Sequence, residues 1–275
     1  MQLGRSLRSA AAALPEPLAG TARRLDRARR LRRAQRAATE HMPGLVTTIG
    51  ADDAMFPPDD PASYFAVGRS ALDEVERGLR AAGVDDVERI IDVPCGHGRV
   101  LRMLRARWPG AVITACDIDA SGIRLCAAAF GARPVLSADP ISAVDAGDGY
   151  DLAWVGSLLT HLDRDRWPEV LSWARDRLRP GGALVVSTHG ARAAELLEGG
   201  ADYLLDTAAV GRIVGSWRRD GFGYEPYSGA DDYGISLSST TWVAATAAAV
   251  GGLEPVLVRE AGWADHHDVH TFRRS

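Results

Sequence analysis

Short apolar runs alternate with stretches of helical length through the middle of the chain. The runs have the length of strands and lie at 89–93, 111–117, 133–139, 150–156 and 183–188. The stretches between them that are long enough for helices lie at 98–108, 120–130 and 164–178. Apolar strands that alternate with helices form βαβ units, whose parallel sheet is covered on both faces. The sequence therefore predicts an α/β fold.

The N-terminal region differs in composition from the rest. Eight arginines crowd a predicted helix before residue 40, at positions 23, 24, 27, 29, 30, 32, 33 and 36. Asp60-Pro61 is a good helix start, and the apolar spacing after it predicts a helix to about Ala82. We interpret 1–60 as a basic helical extension and 61–275 as the main domain. The basic helix is either a solvated face or a contact with an acidic protein partner, a membrane surface or another subunit.

The alternating pattern stops after Gly190. Residues 190–238 are rich in Gly, Tyr and Asp, and we interpret them as an insertion. A helix is predicted at 240–250, followed by two strands at 255–260 and 268–274 that can close the sheet as an antiparallel pair.

A glycine turn directly follows the first strand, in the sequence IIDVPCGHGR (90–99). Gly96 and Gly98 allow a ligand to approach the backbone closely, because no Cβ intrudes. Asp117 ends the second strand, where an acid can bind ribose hydroxyls, and Asp139 ends the third, where an acid can accept from an adenine amino group. Together these features predict a nucleotide-type cofactor at the carboxyl ends of the strands.

The segments DVPCGHGR, ACDID, SAD, YDLAWVGSLLTHL and LRPGGALVV resemble successive motifs of the class I S-adenosylmethionine-dependent methyltransferases. The resemblance covers about 62–189, and the DxPCGxGR motif is similar to that of one bacterial branch. It implies a Rossmann-like, mostly parallel seven-stranded sheet and S-adenosyl-L-methionine as cofactor. The chain departs from the commonest pattern at Pro94, where a glycine is usual.

The resemblance also implies which residues bind the cofactor. Those expected at its methionine and sulfonium end are Pro94, Cys95, Gly96, Gly156 and Ser157, with Tyr64 and Gly68 of the preceding helix closing over it. Those expected around the ribose and adenine are Asp117, Ile118, Ala138 and Asp139.

Methyl transfer to a hydroxyl usually requires a base near the carboxyl ends of the strands. His161 follows the fourth strand, His189 follows the fifth, and His266 lies near the last, so all three can reach the same rim. We rank them as base candidates in that order. Tyrosines 203, 224, 227 and 233, in or near the insertion, can shape a pocket for a small-molecule or glycan acceptor.

Charge and cysteine content exclude several other classes. The formal net charge is −4, which argues against a nucleic-acid partner. The three cysteines have neither metal-ligand spacing nor an even count, so we expect no metal site, no disulfide framework and a reducing, cytoplasmic location. No apolar run approaches the ~18 residues of a membrane span.

Two alternatives remain open at this stage. A nicotinamide-dependent oxidoreductase shares the glycine turn and the ribose acid, but it predicts a third glycine and leaves Asp139 unexplained. A protein of the same fold that binds the cofactor without methylating is also compatible with the motifs, and the basic N-terminal helix keeps this alternative open.

Overall fold

The computed structural model describes residues 16–230 and 232–275. Its helices are α1 (Glu16–His41), α2 (Pro61–Ala82), α3 (Leu101–Arg107), α4 (Ala120–Phe130), α5 (Trp167–Arg177), α6 (Ala191–Glu198), α7 (Thr207–Asp220) and α8 (Thr240–Val250). Its strands are β1 (Arg89–Val93), β2 (Val112–Asp117), β3 (Arg133–Leu136), β4 (Tyr150–Val155), β5 (Leu178–Thr188), β6 (Phe222–Pro226), β7 (Gly234–Ser238), β8 (Leu253–Trp263) and β9 (His267–Arg274). Short 3₁₀ turns lie at Ile141–Ala143, Leu159–His161 and Arg164–Arg166.

Seven strands form the main sheet, in the order β3-β2-β1-β4-β5-β9-β8. The pairs from β3 to β5 are parallel, and β9 joins β5 and β8 in antiparallel pairs. The predicted Rossmann-like α/β fold and the closing antiparallel pair are confirmed. Because β1 lies between β2 and β4, the loops that follow these three strands meet at one edge of the sheet.

Alternate residues of the central strands face opposite sides, and helices cover both. Ile90 and Leu152 pack with α2, α3 and α4, while Ile91 and Ala153 pack with α5 and α8. All four are fully buried. A parallel sheet requires this two-sided cover, because both faces of its strands are apolar.

Helix α2 begins where the sequence predicts. The Asp60 side chain accepts a hydrogen bond from the Ser63 backbone N–H, Pro61 occupies the first turn, and Gly83 ends the helix at φ 69°. Helix α1, which holds the arginine-rich stretch, packs against α2 through the buried Ala34. The part of the predicted basic extension at 1–15 lies outside the described residues.

Two predicted strand boundaries are wrong. Strand β3 ends at Leu136, so Asp139 lies three residues beyond the strand and not at its end. The partner strand β2 ends at Asp117, and the last backbone bond between them joins Ser137 to Asp117. Strand β5 begins at Leu178, five residues before the predicted start, because the Pro-Gly-Gly segment continues the strand.

The insertion at 190–238 is a folded unit. Helices α6 and α7 and the antiparallel hairpin β6–β7 enclose their own apolar cluster, which includes Leu197, Ile213 and Leu237. The β6–β7 hairpin is attached to the main sheet because the Ser238 N–H donates to the His189 carbonyl at 2.8 Å. The segment that the sequence presents as a Gly- and Tyr-rich insertion is therefore built on a small core.

Within residues 16–230 and 232–275, no helix has both the length and the apolar character of a membrane span. The three cysteines are buried free thiols.

The carboxylate of Asp151 fastens the start of β4 to the start of β1. It accepts the backbone N–H groups of Glu88 and Arg89 at 2.8 and 2.9 Å and pairs with Arg179. Burial would raise the pKa of Asp151, but Arg179 and the two N–H groups outweigh it and leave the pKa below its ordinary value.

We expect Asp151→Asn to lower the free energy of unfolding by about 1–3 kcal/mol at pH 7, because a charged acceptor of three donors is lost. A group with a depressed folded pKa stabilises above its unfolded pKa, about 4, and this contribution is lost as the pH falls through the folded pKa. The difference between the two proteins should therefore shrink below about pH 4. Denaturant titration at several pH values measures it, with the exposed Asp148→Asn as control. An equal loss of unfolding free energy in Asp151→Asn and Asp148→Asn would contradict the stabilising role of the Asp151 carboxylate.

Candidate functional site

The turn after β1 is fastened to the end of β2 by one carboxylate. Asp117 Oδ2 accepts the Gly96 N–H at 2.6 Å, and Oδ1 accepts the Asp119 N–H at 2.8 Å. Gly96 and Gly98 have φ of 50° and 77°, a conformation that favours glycine. A Cβ on Gly96 would meet nothing within 4 Å, so the backbone is open above the turn.

Two cavities adjoin at this turn and share Pro94, Asp117 and Tyr233 in their walls. The larger is about 430 Å³ and mostly apolar, with Ile118 and Ala138 among its lining residues. The smaller is about 230 Å³ and extends over Gly96 towards Gly156. Their shared wall is the carboxyl edge of β1 and β2, where open α/β sheets bind ligands.

The smaller cavity is lined by one acidic and one basic side chain, Asp92 and Arg99, that have no partner in the described residues. Asp92 is 1% exposed, and neither of its carboxylate oxygens has a hydrogen-bond partner in the part of the chain that the structure describes. Burial, and then the neighbouring Asp117, raise the pKa of Asp92 well above its usual range. The Arg99 guanidinium lies over the Trp263 ring, and within the described residues it makes no hydrogen bond or ion pair. Burial lowers the pKa of Arg99, although the neighbouring Tyr64 and Asp53 side chains raise it. A ligand with a cationic and an anionic group would satisfy both side chains.

Most residues predicted to bind the cofactor line these cavities. The structure brings together Pro94, Cys95, Gly96, Asp117, Ile118, Ala138, Asp139, Gly156 and Ser157. Ile118 is 71% exposed, which leaves an apolar face open to a ligand. The Cys95 thiol donates to the Gly96 carbonyl oxygen at 3.5 Å. The neighbouring Cys126 thiol and burial raise the pKa of Cys95, so it remains a neutral thiol.

Tyr64 and Gly68 lie outside the lining of both cavities. The Tyr64 hydroxyl donates to Asp53 Oδ2 at 2.6 Å, and it is Asp53 that lines the smaller cavity. A Cβ on Gly68 would lie 2.4 Å from the Arg99 carbonyl oxygen, so this glycine lets α2 pack closely on the turn before α3. Both residues contact a residue that lines the smaller cavity and do not line it themselves.

Asp139 lines the larger cavity but already has a partner. Its Oδ1 accepts from the Arg166 guanidinium, whose side chain also lines the cavity. Within the described residues the other oxygen, Oδ2, is free for the predicted adenine contact. Arg166 was missed in the sequence, because its proximity depends on a 3₁₀ turn 27 residues further along the chain.

His161 lines the smaller cavity, and its tautomer follows from one contact. Its Nδ1 lies 2.9 Å from the Gly234 carbonyl oxygen, which can only accept, so Nδ1 carries the proton and Nε2 keeps a lone pair. Tyr233 stacks on the ring at 4.8 Å between centroids. Burial lowers the pKa of His161 despite the Gly234 contact, which keeps the ring neutral.

His189 and His266 reach the same rim but not the cavity walls. The ring centroid of His189 lies 6.5 Å from that of His161 and 5.0 Å from that of His266. His189 is 3% exposed. The histidines that the sequence predicts to converge do so, with His161 in front and the other two behind it.

Asp92 and Arg99 are the site residues that the motif analysis did not single out. Asp92 interrupts the apolar run IIDV, and a charged residue inside a buried strand is a signal in itself. Arg99 carries no comparable signal, because arginines are abundant throughout this chain.

Comparison with known proteins agrees with this architecture. Residues 91–184 match the family model of a methyltransferase domain. The chain is 31% identical over 123 residues to a malonyl-[acyl-carrier protein] O-methyltransferase of a Paenibacillus species, a match that covers 42% of this chain and 43% of the relative. It is 34% identical over 119 residues to a trans-aconitate 2-methyltransferase of Streptomyces avermitilis, which covers 38% of this chain and 40% of the relative. The chain thus spans less than half the length of these relatives.

Solved structures share the fold at low identity. The PH0226 protein of Pyrococcus horikoshii superposes with a TM-score of 0.52 at 13% identity, over 75% of this chain and 91% of that one. A S-adenosylmethionine-dependent methyltransferase of Clostridium acetobutylicum gives a TM-score of 0.52 at 12% identity, over 77% and 92%. The fold is therefore that of the class I methyltransferases. The match to the methyltransferase-domain model at 91–184 lies within this fold.

The close approach of α4 to the glycine turn gives a stability test. A Cβ on Gly122 would lie 2.4 Å from the Gly96 carbonyl oxygen, and a backbone atom cannot move aside cheaply. We expect Gly122→Ala to destabilise the protein by about 1–3 kcal/mol, as overpacking does. The matched control is Gly215→Ala in α7, where nothing lies within 4 Å and alanine should stabilise by about 0.4–1 kcal/mol. Thermal unfolding measures both, and the same sign of change in both variants would refute the packing argument.

Proposed function

We propose that this protein transfers a methyl group from S-adenosyl-L-methionine to a hydroxyl of a small-molecule or glycan acceptor, with His161 as the base. The observation that carries the proposal is the pair of adjoining cavities at the glycine turn, the smaller of which holds the unpaired Asp92 and Arg99. The larger, apolar cavity suits a nucleoside. The smaller cavity, with an acidic and a basic side chain, suits a zwitterionic amino acid joined to that nucleoside.

The chain's residues fit this cofactor. Ile118 and Ala138 would contact the adenine, and Asp139 would accept from its amino group through the oxygen that Arg166 leaves free. Asp117 would accept the ribose hydroxyls on the second lone pairs of its oxygens. In the smaller cavity Asp92 would face the methionine ammonium and Arg99 its carboxylate, so each buried charge would gain its counter-charge.

When bound, S-adenosyl-L-methionine supplies an electrophilic methyl group on a sulfonium. The protein's own contribution is position and desolvation. Gly156 and Ser157 follow β4 and line the smaller cavity beside His161. Ser157 is held at φ 59° while its N–H donates to Ser187 Oγ at 2.8 Å, which fixes this wall.

His161 would take the acceptor proton on Nε2. The Gly234 carbonyl holds Nδ1–H, so the ring points its free lone pair away from that bond, and the new charge on Nδ1–H would strengthen the same hydrogen bond. The stacked Tyr233 limits ring rotation. A ring kept neutral by burial is available as a base at neutral pH.

The insertion at 190–238 would form the acceptor wall. Its β6–β7 hairpin supplies Gly234 to His161, and Tyr227 and Tyr233 pack around the same ring. Substrate choice in such folds lies in added segments at the carboxyl edge. The O-methyltransferase named among the relatives supports oxygen as the acceptor atom. The cytoplasmic location and a partner contact through α1 stay predictions.

The charge assignment predicts a selective loss of affinity. Arg99→Met and Asp92→Asn should each weaken S-adenosylmethionine binding by about 1.5–3 kcal/mol, because each removes a charge-assisted contact with the methionine group. Neither substitution should weaken the binding of 5′-methylthioadenosine, which has the nucleoside but no amino acid. Calorimetry with both ligands tests this, and exposed Arg80→Met is the control. Parallel losses for both ligands would show that the smaller cavity does not hold the methionine group.

The assignment of His161 as the base predicts that its substitution lowers the methyl-transfer rate only with some acceptors. With a hydroxyl acceptor, His161→Gln should lower the single-turnover rate by about 10²–10⁴-fold while cofactor affinity is unchanged. Trans-aconitate and malonyl-acyl-carrier protein, named by the relatives, carry carboxylates that are already ionised and would need no base. A panel of sugars, phenols and these two carboxylates, assayed with labelled cofactor, separates the cases; exposed His41→Gln is the control. Transfer only to carboxylates, unaffected in His161→Gln, would refute the base role, and transfer to nothing would favour a non-methylating protein.

A further inference from the structure

Three histidines lie together behind the wall formed by His161 and Trp263. Each of His189, His266 and His267 offers one ring nitrogen, and these three nitrogens all lie within 4.8 Å of one another. The ring centroids are 5.0 Å apart for His189 and His266, 4.8 Å for His189 and His267, and 4.4 Å for His266 and His267. The cluster joins the end of β5 to the turn between β8 and β9.

The backbone sets this arrangement. The antiparallel register pairs Thr188 with Asp268, so one residue further along, His189 stands opposite His267. His266 is held in the adjacent tight turn, where its N–H donates to the Trp263 carbonyl at 3.2 Å. Three imidazoles from two strands are thus fixed without a flexible segment between them.

Two of these rings have polar atoms that nothing satisfies. Among residues 16–230 and 232–275, Nδ1 of His189 and Nδ1 of His267 have no hydrogen-bond partner, and the two residues are 3% and 9% exposed. Buried polar atoms are normally paired, so these two indicate a ligand. Neutral imidazole is the form that binds metal.

The third ring has the support that metal-ligating histidines have. His266 Nε2 forms a hydrogen bond with the Tyr203 hydroxyl. If Nε2 is the donor, Nδ1 is left with its lone pair, and the ring is oriented by a second partner as ligating histidines usually are. Trp263 packs on His267 at 4.6 Å between centroids and shields that side from water.

We propose that His189, His266 and His267 bind one divalent transition-metal cation, with Zn²⁺ as the expected ion, through one nitrogen each. Three imidazoles suit Zn²⁺, and hard cations such as Mg²⁺ prefer oxygen ligands. A tetrahedral site with bonds of about 2.1 Å places its nitrogens roughly 3.4 Å apart, which requires a small contraction of the cluster. The expectation of no metal, drawn from cysteine spacing, is replaced by this proposal.

The proposed ion does not depend on the methyl-transfer proposal. A single layer of aromatic rings separates the cluster from the smaller cavity. His189 lies behind His161, and His267 lies behind Trp263. A bound ion would fix these two walls, and its fourth position would take water.

Metal binding by the untagged full chain tests the site directly. The protein is freed of metal with a chelator, and Zn²⁺ uptake is measured by competition with an indicator and by elemental analysis. We expect one equivalent in the wild type and a loss of affinity of about 100-fold or more in His189→Gln and His267→Gln, with about 10–100-fold in Tyr203→Phe. The control is His270→Gln, a buried histidine of the same strand outside the cluster, which should bind as the wild type does.

Co²⁺ binding to the wild type keeps the test decisive if a variant fails to fold. A four-coordinate site gives an intense visible absorption, and a six-coordinate surface ion gives a weak one. Less than one equivalent of Zn²⁺ in the wild type, a weak Co²⁺ spectrum, or equal affinity in His267→Gln and His270→Gln would each overturn the proposal. Calorimetry with S-adenosylmethionine on the same metal-free samples reports separately on the proposed function.

Discussion

The Asp117 carboxylate is the contact on which the candidate site depends. It accepts the N–H groups of Gly96 and Asp119 with different oxygens and so joins the turn after β1 to the start of α4. The bond to Gly96 fixes the floor of the smaller cavity, and the same side chain lines the larger one. Because these two N–H groups occupy one lone pair on each oxygen, a ribose can still be bound without breaking the turn.

The rest of the site keeps polar groups that a purely structural core would exclude. Burial of Asp92 without a partner raises its pKa, and burial of Arg99 lowers its own, so both side chains are unfavourable in the ligand-free protein. The same logic applies to the unpaired nitrogens of His189 and His267. A ligand that supplies the missing partners would relieve this cost at both places.

The insertion shows how a segment outside the common fold completes the site. It contributes Gly234 to orient His161 and Tyr203 to orient His266, while its own apolar cluster keeps it folded. Both contacts join residues more than 60 positions apart in the chain. The tyrosines were predicted to lie near an acceptor pocket, and the contacts of Tyr227 and Tyr233 with His161 place two of them beside the smaller cavity.

The sequence by itself determined the sheet, the glycine turn and the position of Asp117 at the end of β2, because apolar periodicity, positive-φ glycines and strand-end acids are local signals. It misplaced Asp139 relative to β3, since the end of a strand depends on where its partner strand ends. Only the tertiary structure decided that Asp92 and Arg99 share a cavity and that His189 stands opposite His267. The first depends on how α3 packs over β1, and the second on the antiparallel register of β5 and β9. Neither the packing of a helix nor the register of strands about 80 residues apart is encoded in local spacing.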